Sequence, residues 1–354
     1  MKKPAAPRRS PSTFLSGLAG LAGLLGLATA GAGCGGDATN GTEQPAADLA
    51  PGPIVPATPP PSAQTCRGAP YPLVLAHGMA GFERIGPVNY FFNVAADLKG
   101  RGEAVSESQV SPYETSTVRA SQLAQFIDAT LQKSGACKVN VIAHSQGGLD
   151  SRYAISTLGY GDRIGALITV GTPHAGTPVA DIALGLVPGF SADAVNLMLL
   201  AVQGLTSNDQ GRPDIRSNLS QLATATMKAW NEQNRDDPRV RYYSVAGRSN
   251  LARADTECKG GVWPNPSGLD VLNPLLALPV GVWTVTSPNP LVPIANDGLV
   301  PVTSARWGTF LGCVAADHFD EVGQIAELGP DLISGFYHLE LYRKLAAQLH
   351  GDGL

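Results

Sequence analysis

Lys138-Val139-Asn140-Val141-Ile142-Ala143-His144-Ser145-Gln146-Gly147-Gly148 is the stretch whose reading decides the fold. Val139 to Ile142 read as a short buried strand. From Gln146 the chain turns helix-compatible, because Leu149, Tyr153, Ala154 and Leu158 recur at helical spacing. Ser145 stands between the two, with Ala143 two residues before it and Gly147 two after. A serine on a sharp strand-to-helix turn with small flanking residues is the pattern of a nucleophile elbow. The flanks are small because the two arms of the turn come close together. The helix that starts there offers unpaired backbone N–H groups and a positive dipole end to developing negative charge.

The segments around the elbow repeat its alternation. Leu73 to Ala76 reads as a buried strand running into the loop His77-Gly78-Met79-Ala80-Gly81-Phe82. Phe91 to Leu98 reads as a helix, Ala104 to Val110 as a strand and Ser121 to Gln132 as a helix. Ile164 to Val170 is a further buried strand, ending in Gly171-Thr172-Pro173-His174-Ala175-Gly176. Leu219 to Asn234 follows as a helix, Arg239 to Ala246 as a strand and Ser334 to Leu349 as a closing helix. The strand from Arg239, charged at its start and apolar at its end, would enter the sheet from solvent. Residues 250–295 carry no clear period. Strands alternating with helices imply an α/β fold, a mostly parallel central sheet covered on both faces. One segment breaks the alternation. Ile182 to Leu205 is strongly apolar and is punctuated by Gly185, Pro188 and Gly189. Inserted after a strand whose neighbours carry the chemistry, it is expected to form a helical lid over about residues 180–215.

Composition narrows the function. The 354 residues carry a formal charge of −4, with 25 basic and 29 acidic side chains. Residues 1–33 hold four of the basic residues and no acid, and an uncharged apolar run from Phe14 to Gly33. That is the layout of a signal peptide. Without it, 21 basic residues face 29 acidic ones, a balance of −8 that argues against nucleic acid as a partner. Gly31-Ala32-Gly33-Cys34 resembles a bacterial lipoprotein signal, with Cys34 as the acylated first residue, although Gly31 stands where leucine is usual. The alternative is ordinary cleavage near Ala30 or Ala32. Residues 34–66, rich in Pro, Ala and Gly, form the tether, and residues 67–354 the folded domain. The chain is therefore expected to be exported, as an outer-membrane or cell-surface lipoprotein held to the membrane by this anchor, or alternatively as a secreted protein.

Four further cysteines in an exported chain suggest two disulfides. Cys66 and Cys137 each precede a strand, at Leu73 and at Val139. If those strands are parallel neighbours, both cysteines sit at one end of the sheet. The expected pairs are thus Cys66–Cys137 and Cys258–Cys313.

A serine hydroxyl is a weak nucleophile and needs a base that is itself oriented by an acid. Of the six histidines, His144 adjoins the serine and so points elsewhere on the elbow. His77 and His174 lie on loops that would shape the site, and His338 and His350 belong to the last helix. His318, in the acid-rich loop Ala316-Asp317-His318-Phe319-Asp320-Glu321-Val322, is best placed as the base. Asn296-Asp297-Gly298 supplies an acid on a tight turn ahead of it, giving the order serine, acid, histidine. The oxyanion donors would be the backbone N–H groups of Gln146 and Met79.

Taken together, these stretches resemble the true lipases of the Pseudomonas and Burkholderia type, over roughly residues 70–350. The resemblance rests on Leu75 to Phe82, Lys138 to Leu149, Ser151-Arg152-Tyr153, Gly171 to Gly176, Asn296 to Val300 and His318 to Val322. It implies an α/β-hydrolase fold, a helical lid and triacylglycerol lipase activity on lipid esters at an interface. It also implies Ser145, Asp297 and His318 as the triad. Alternatives are a polyester depolymerase, or a phospholipase or acyltransferase, on the same triad. From a different class, a non-catalytic lipid-binding surface lipoprotein is the alternative. The resemblance further implies a structural Ca²⁺ held by Asp320, Gln324, the carbonyl of Leu328 and an aspartate, taken as Asp270 with Asp255 as its rival. Oxygen ligands of this kind suit a hard cation. A dedicated folding chaperone would be a further partner. Three features depart from the family pattern: Ala143 replaces the first elbow glycine, Cys313 is not where the second cysteine falls, and the anchor and tether are untypical of freely secreted members.

Overall fold

A computed structural model describes residues 66–81, 84–85, 88–187, 215–249, 256–268, 270, 276, 294–324 and 328–354. The signal segment, Cys34, the tether up to residue 65, Asp255 and residues 188–214 of the expected lid lie outside these described residues.

The chain runs β1 (Leu73–Ala76), β2 (Arg84–Ile85), β3 (Val88–Asn89), α1 (Val94–Gly100), β4 (Val105–Glu107), α2 (Ser116–Ser134), β5 (Val139–His144), α3 (Gln146–Ser156), β6 (Ile164–Val170) and α4 (Pro178–Ala183). It continues with α5 (Ile215–Leu222), α6 (Thr224–Gln233), β7 (Arg241–Gly247), α7 (Val302–Ala305), β8 (Thr309–Val314) and α8 (His338–Gly351). Strands β2 and β3 form a small antiparallel ribbon apart from the main sheet. The main sheet has the order β4-β1-β5-β6-β7-β8, and every pairing in it is parallel.

Side chains alternate across a strand, so each face of the sheet builds its own core. Leu73, Leu75, Ile142, Ile168 and Val245 face α1 and α8, meeting Leu98, Tyr342 and Leu345. Val74, Val141, Ala143 and Leu167 face the other way, onto Leu123, Ile127 and Ile155 of α2 and α3. Central strands β5 and β6 are buried along their whole length, as strands covered on both faces must be. Strand β7 is exposed at Arg241 and buried from Tyr243 onward, so it does enter from solvent.

Disulfides close Cys66–Cys137 and Cys258–Cys313. The first pair sits where β1 and β5 run side by side, next to a parallel bridge between Arg67 and Ala136. Arg152 of α3 lies buried with its guanidinium 3.6 Å from the Trp307 ring centre and 5.0 Å from that of Trp230, clamping α3 to α6.

Several element boundaries differ from the sequence reading. The stretch read as one helix from Leu219 to Asn234 is two, parted at Ala223, whose backbone is extended. Asp181 of α4 causes the break. Its carboxylate accepts the backbone N–H and the hydroxyl of Thr224, at 2.9 and 2.7 Å, and so starts α6 from outside the local sequence. Helix α2 begins at Ser116 rather than Ser121, because the Ser116 N–H reaches Gln221 Oε1 at 2.9 Å. Helices α1 and α8 begin three and four residues later than expected, at Val94 and His338. Strand β8 has no counterpart in the sequence reading. Its interior glycine, Gly312, at φ 146°, weakens the apolar signal, and pairing with β7 is what makes it a strand.

Candidate active site

Ser145 follows β5 and caps α3 with φ 55° and ψ −132°, a backbone conformation rarely open to a non-glycine residue. The turn holds because its surroundings fix it. The Ser145 N–H donates to the Val170 carbonyl at 2.9 Å, and its carbonyl accepts the Thr172 hydroxyl at 2.7 Å. Gly147 has to be a glycine, since a Cβ there would strike the Ala76 carbonyl of β1. The first turn of α3 thus packs directly on the neighbouring strand.

His318 lies in the loop after β8, buried and beside the serine. The Ser145 hydroxyl donates to Nε2 across 3.0 Å, and Nδ1–H donates to Asp297 Oδ2 at 2.7 Å. Asp297 is held from the other side. Its Oδ1 accepts the N–H groups of Leu299 and Val300 at 2.8 and 2.7 Å, and its carbonyl accepts the His318 N–H at 2.8 Å. The orienting acid and the loop bearing the base are therefore fixed to each other through backbone as well as side chain. Serine, imidazole and carboxylate form a continuous chain in which the hydroxyl proton can move to nitrogen as oxygen attacks a carbonyl.

Met79 ends the approach of the loop after β1, and Gln146 is the first residue of α3. A Cβ at Gly78 would lie 2.6 Å from the Ser145 Cβ, so glycine there lets this loop reach the nucleophile. What holds the loop escaped the sequence reading. Arg119 of α2, fully buried, donates to the carbonyls of His77 at 2.7 Å and Gly78 at 3.2 Å, and to that of Ser111 at 2.6 Å. Its charge is met by Asp150 of α3, with Nε 2.7 Å from Oδ2. By gripping the carbonyls of residues 77 and 78, Arg119 fixes the backbone of the loop that leads to Met79. No local motif marks Arg119; a charged residue at a helix position otherwise flanked by core is the only trace in the sequence.

A second layer lies behind the triad. His144 is buried between the Tyr90 hydroxyl, 2.7 Å from Nδ1, and the Glu321 carboxyl, 3.0 Å from Nε2. Glu321 Oε2 also lies 3.8 Å from His318 Nδ1. Burial, and then the neighbouring charge of Asp297, push the Glu321 carboxyl well above its usual range. Burial and His318 hold His144 well below the ordinary histidine value. His77 is brought down to about 3 by burial and by Arg119, and His174 well down by burial and Arg152. All three rings are held toward the neutral form; His77 and His174 lie on the loops expected to shape the site, and His144 ends β5 beside the serine.

The same loop gathers a carboxylate cluster. Ligand oxygens of Asp270, Asp317 and Asp320 lie within 4.8 Å of one another, with Asp270 and Asp317 buried. Asp317 was absent from the sequence-derived ligand set, although it adjoins His318. Gln324 directs its Nε2 to the carbonyls of Asn89 and Tyr90, at 2.9 and 2.7 Å, leaving its oxygen as the atom able to ligate. Leu328 sits on the outer part of the loop with its side chain exposed.

A parallel sheet flanked by helices, with serine, histidine and aspartate on loops at the carboxyl ends of its strands, defines a serine hydrolase of the α/β-hydrolase class. The family described as the alpha/beta hydrolase fold matches residues 71–234. A triacylglycerol lipase of Vibrio cholerae serotype O1 is 30% identical over 310 residues, 80% of this chain and 89% of that protein. One from Burkholderia plantarii is 28% identical, over 75% of this chain and 82% of the relative. Among solved structures, a mature Bacillus licheniformis lipase, BlEst2, superposes with a TM-score of 0.53 at 21% identity, covering 82% of this chain and 96% of that one, a likeness of fold. The chain belongs to the triacylglycerol lipase family and is a carboxylester hydrolase.

Proposed function

We propose that this protein hydrolyses acyl esters of lipids, triacylglycerols among them, through an acyl-enzyme on Ser145. The observation that carries the reading is the Ser145–His318–Asp297 chain, at 3.0 and 2.7 Å, on a strained elbow. Ser145 Oγ attacks the ester carbonyl as His318 Nε2 takes its proton. The Met79 and Gln146 N–H groups receive the oxyanion, a contribution of about 3 kcal/mol for each such donor. Collapse breaks the C–O bond, and His318 returns the proton to the leaving alcohol. Water, deprotonated by the same imidazole, then releases the fatty acid. Asp297 orients the ring and stabilises its cationic form.

A Ca²⁺ ion belongs to the same proposal. Three clustered carboxylates, two of them buried, offer an all-oxygen donor set of the kind that suits a hard ion. Asp270, Asp317 and Asp320 would hold it, with Gln324 and the Leu328 carbonyl as the further oxygens. Its contribution would be to pin the loop that carries His318. The membrane anchor at Cys34, export and the folding chaperone are proposed on sequence grounds.

Labelling with a fluorophosphonate probe is the direct test. Wild-type protein is expected to label and the Ser145→Ala variant to stay unlabelled. Labelling that persists in the variant would defeat the reading. Hydrolysis of a graded p-nitrophenyl ester series beside emulsified triolein, with and without chelator, then separates lipase from short-chain esterase.

A further inference from the structure

Among the described residues, six large hydrophobic side chains are exposed, and three of them fall in one six-residue turn. These are Leu328, Leu332 and Ile333, at 89%, 99% and 62% exposure. Two large aliphatic side chains side by side and open to water are not explained by the fold they sit on. The turn is firmly built. Asp331 Oδ1 accepts the N–H groups of Ile333 and Ser334 at 2.9 and 2.6 Å, and the Asp331 N–H and carbonyl bond to Phe336 and Gly335. Leu332 and Ile333 are thus presented outward by a fixed backbone.

The position of the turn gives it a direction. It lies in the connection from β8 to α8, the same connection that carries His318. At its far end His338 Nε2–H donates to the Phe92 carbonyl at 2.8 Å, and the Phe92 N–H donates to Val322 at 3.0 Å. The start of α8 is therefore tied to the histidine loop, which keeps the turn on the edge of the sheet that bears the active site. Leu186, 60% exposed just beyond α4, is a second apolar side chain on a connection leaving the carboxyl end of a strand, here β6. Next to the turn, Phe336 and Tyr337 join Trp263 in lining a groove of about 650 Å³. Arg343 and Lys344 border that groove, and Lys344 Nζ stands 3.7 Å from the centre of the Trp263 ring. Glu340 borders it too, and Asp97 pairs with Arg343. An aliphatic tip backed by aromatic rings and cations is the layering of an interfacial anchor, with the tip among acyl chains and the rings and cations at headgroup depth.

We propose that the 328–333 turn inserts Leu332 and Ile333 into a lipid surface and so presents the catalytic edge to its substrate. The inference rests on the lipid-ester reading above and adds the surface through which substrate is reached.

The test uses the full chain with vesicles of phosphatidylcholine containing about one third phosphatidylglycerol, some made with brominated acyl chains. A tryptophan placed by Leu332→Trp is expected to shift to the blue and to be quenched by the brominated lipid. Over the emission of the four native tryptophans, one placed by Gln132→Trp, exposed near the far end of α2, is expected to add neither. This readout is specific to position, so attachment through the N-terminus does not mimic it. At sub-saturating emulsion the Leu332→Ser, Ile333→Ser double variant should hydrolyse triolein about a hundredfold more slowly, each aliphatic group being worth roughly tenfold in partition. Its rate on soluble p-nitrophenyl butyrate should stay within about twofold of wild type. No added quenching at position 332, equal added quenching at 132, or equal triolein rates would overturn the inference. So would a wild-type dimer that the double variant converts to monomer, because the turn would then cover a second copy of the chain. A wild type without fluorophosphonate labelling or ester hydrolysis would instead defeat the proposed activity, and the quenching result would remain readable.

Discussion

The two halves of the catalytic chain are built by different means. The serine side, from β5 into α3, is fixed by packing and by buried charge. Its strand is fully buried, its turn leans on β1, and the loop facing it is gripped by an Arg119–Asp150 pair with almost no exposure. The histidine side is a connection of more than twenty residues between β8 and α8. It is held by the Asp297–His318 contacts and by turn hydrogen bonds to Asp317, and it gathers a cluster of carboxylates around that residue. A nucleophile on a strained turn needs a rigid frame at every instant. A base at the end of a long loop can be positioned by a few strong polar contacts, and so can depend on solution conditions.

The largest expected effect falls on the serine side. Ser145→Ala should lower kcat for p-nitrophenyl esters by about 10⁴-fold or more while leaving the melting curve unchanged. An altered melting curve would mean that the hydroxyl also supports the elbow.

Arg119 comes next. Arg119→Ala strands the buried Asp150 carboxylate and should cost about 3–5 kcal/mol in urea unfolding. Arg119→Lys keeps a charge but loses the planar fork that reaches two carbonyls at once. It is expected to lower kcat about tenfold or more with KM little changed, because the oxyanion donors are turned and the binding surface is not. Equal losses in both variants, all of them in stability, would reduce Arg119 to a structural ion pair.

Acid should expose the same contrast. His77, with a value of about 3, and His144 and His174, well below the ordinary range, are neutral when folded and protonate on unfolding. Each withdraws stability as pH falls below about 6.5, at about 1.4 kcal/mol per pH unit. Glu321, whose folded value is raised, works in the opposite sense, since its contribution is lost as pH rises above the ordinary carboxyl range. Asp150, also raised by burial, acts in the same sense as Glu321, so three groups against two leave a net uptake of protons on unfolding, and stability should fall between pH 6.5 and pH 5. Denaturant titrations at a series of pH values measure this slope. A flat profile would show that the buried histidines are not what makes the serine side acid-sensitive.

Calcium should act on the histidine side and by the smallest amount. At a hundredfold excess over its Kd it should add about 2.7 kcal/mol, reversed by chelator and absent in Asp320→Asn. Thermal melts with and without the ion measure this. No response would leave the His318 loop to its turn hydrogen bonds and its contacts with Asp297 and Phe92.

What could be read from residue order was whatever local pattern and chain order encode. The strand–serine–helix stretch, the alternation of strands and helices, the acid and the base in sequence after the nucleophile, and two cysteines ahead of neighbouring strands all leave a mark within a short window. The α/β-hydrolase class and the positions of Ser145, Asp297 and His318 followed from these marks. Other features rest on contacts between residues far apart in the chain. Arg119 meets carbonyls 41 and 42 positions away, Glu321 meets His144 across 177 positions, and Asp270 meets Asp317 across a tract without period. Ala223 breaks a periodic helix because Asp181 caps the next one, and β8 becomes a strand because β7 offers an edge. Local propensity is worth tenths of a kcal/mol per residue, whereas leaving a buried donor, acceptor or charge unmatched costs several times more. Where the two compete, the packed molecule decides.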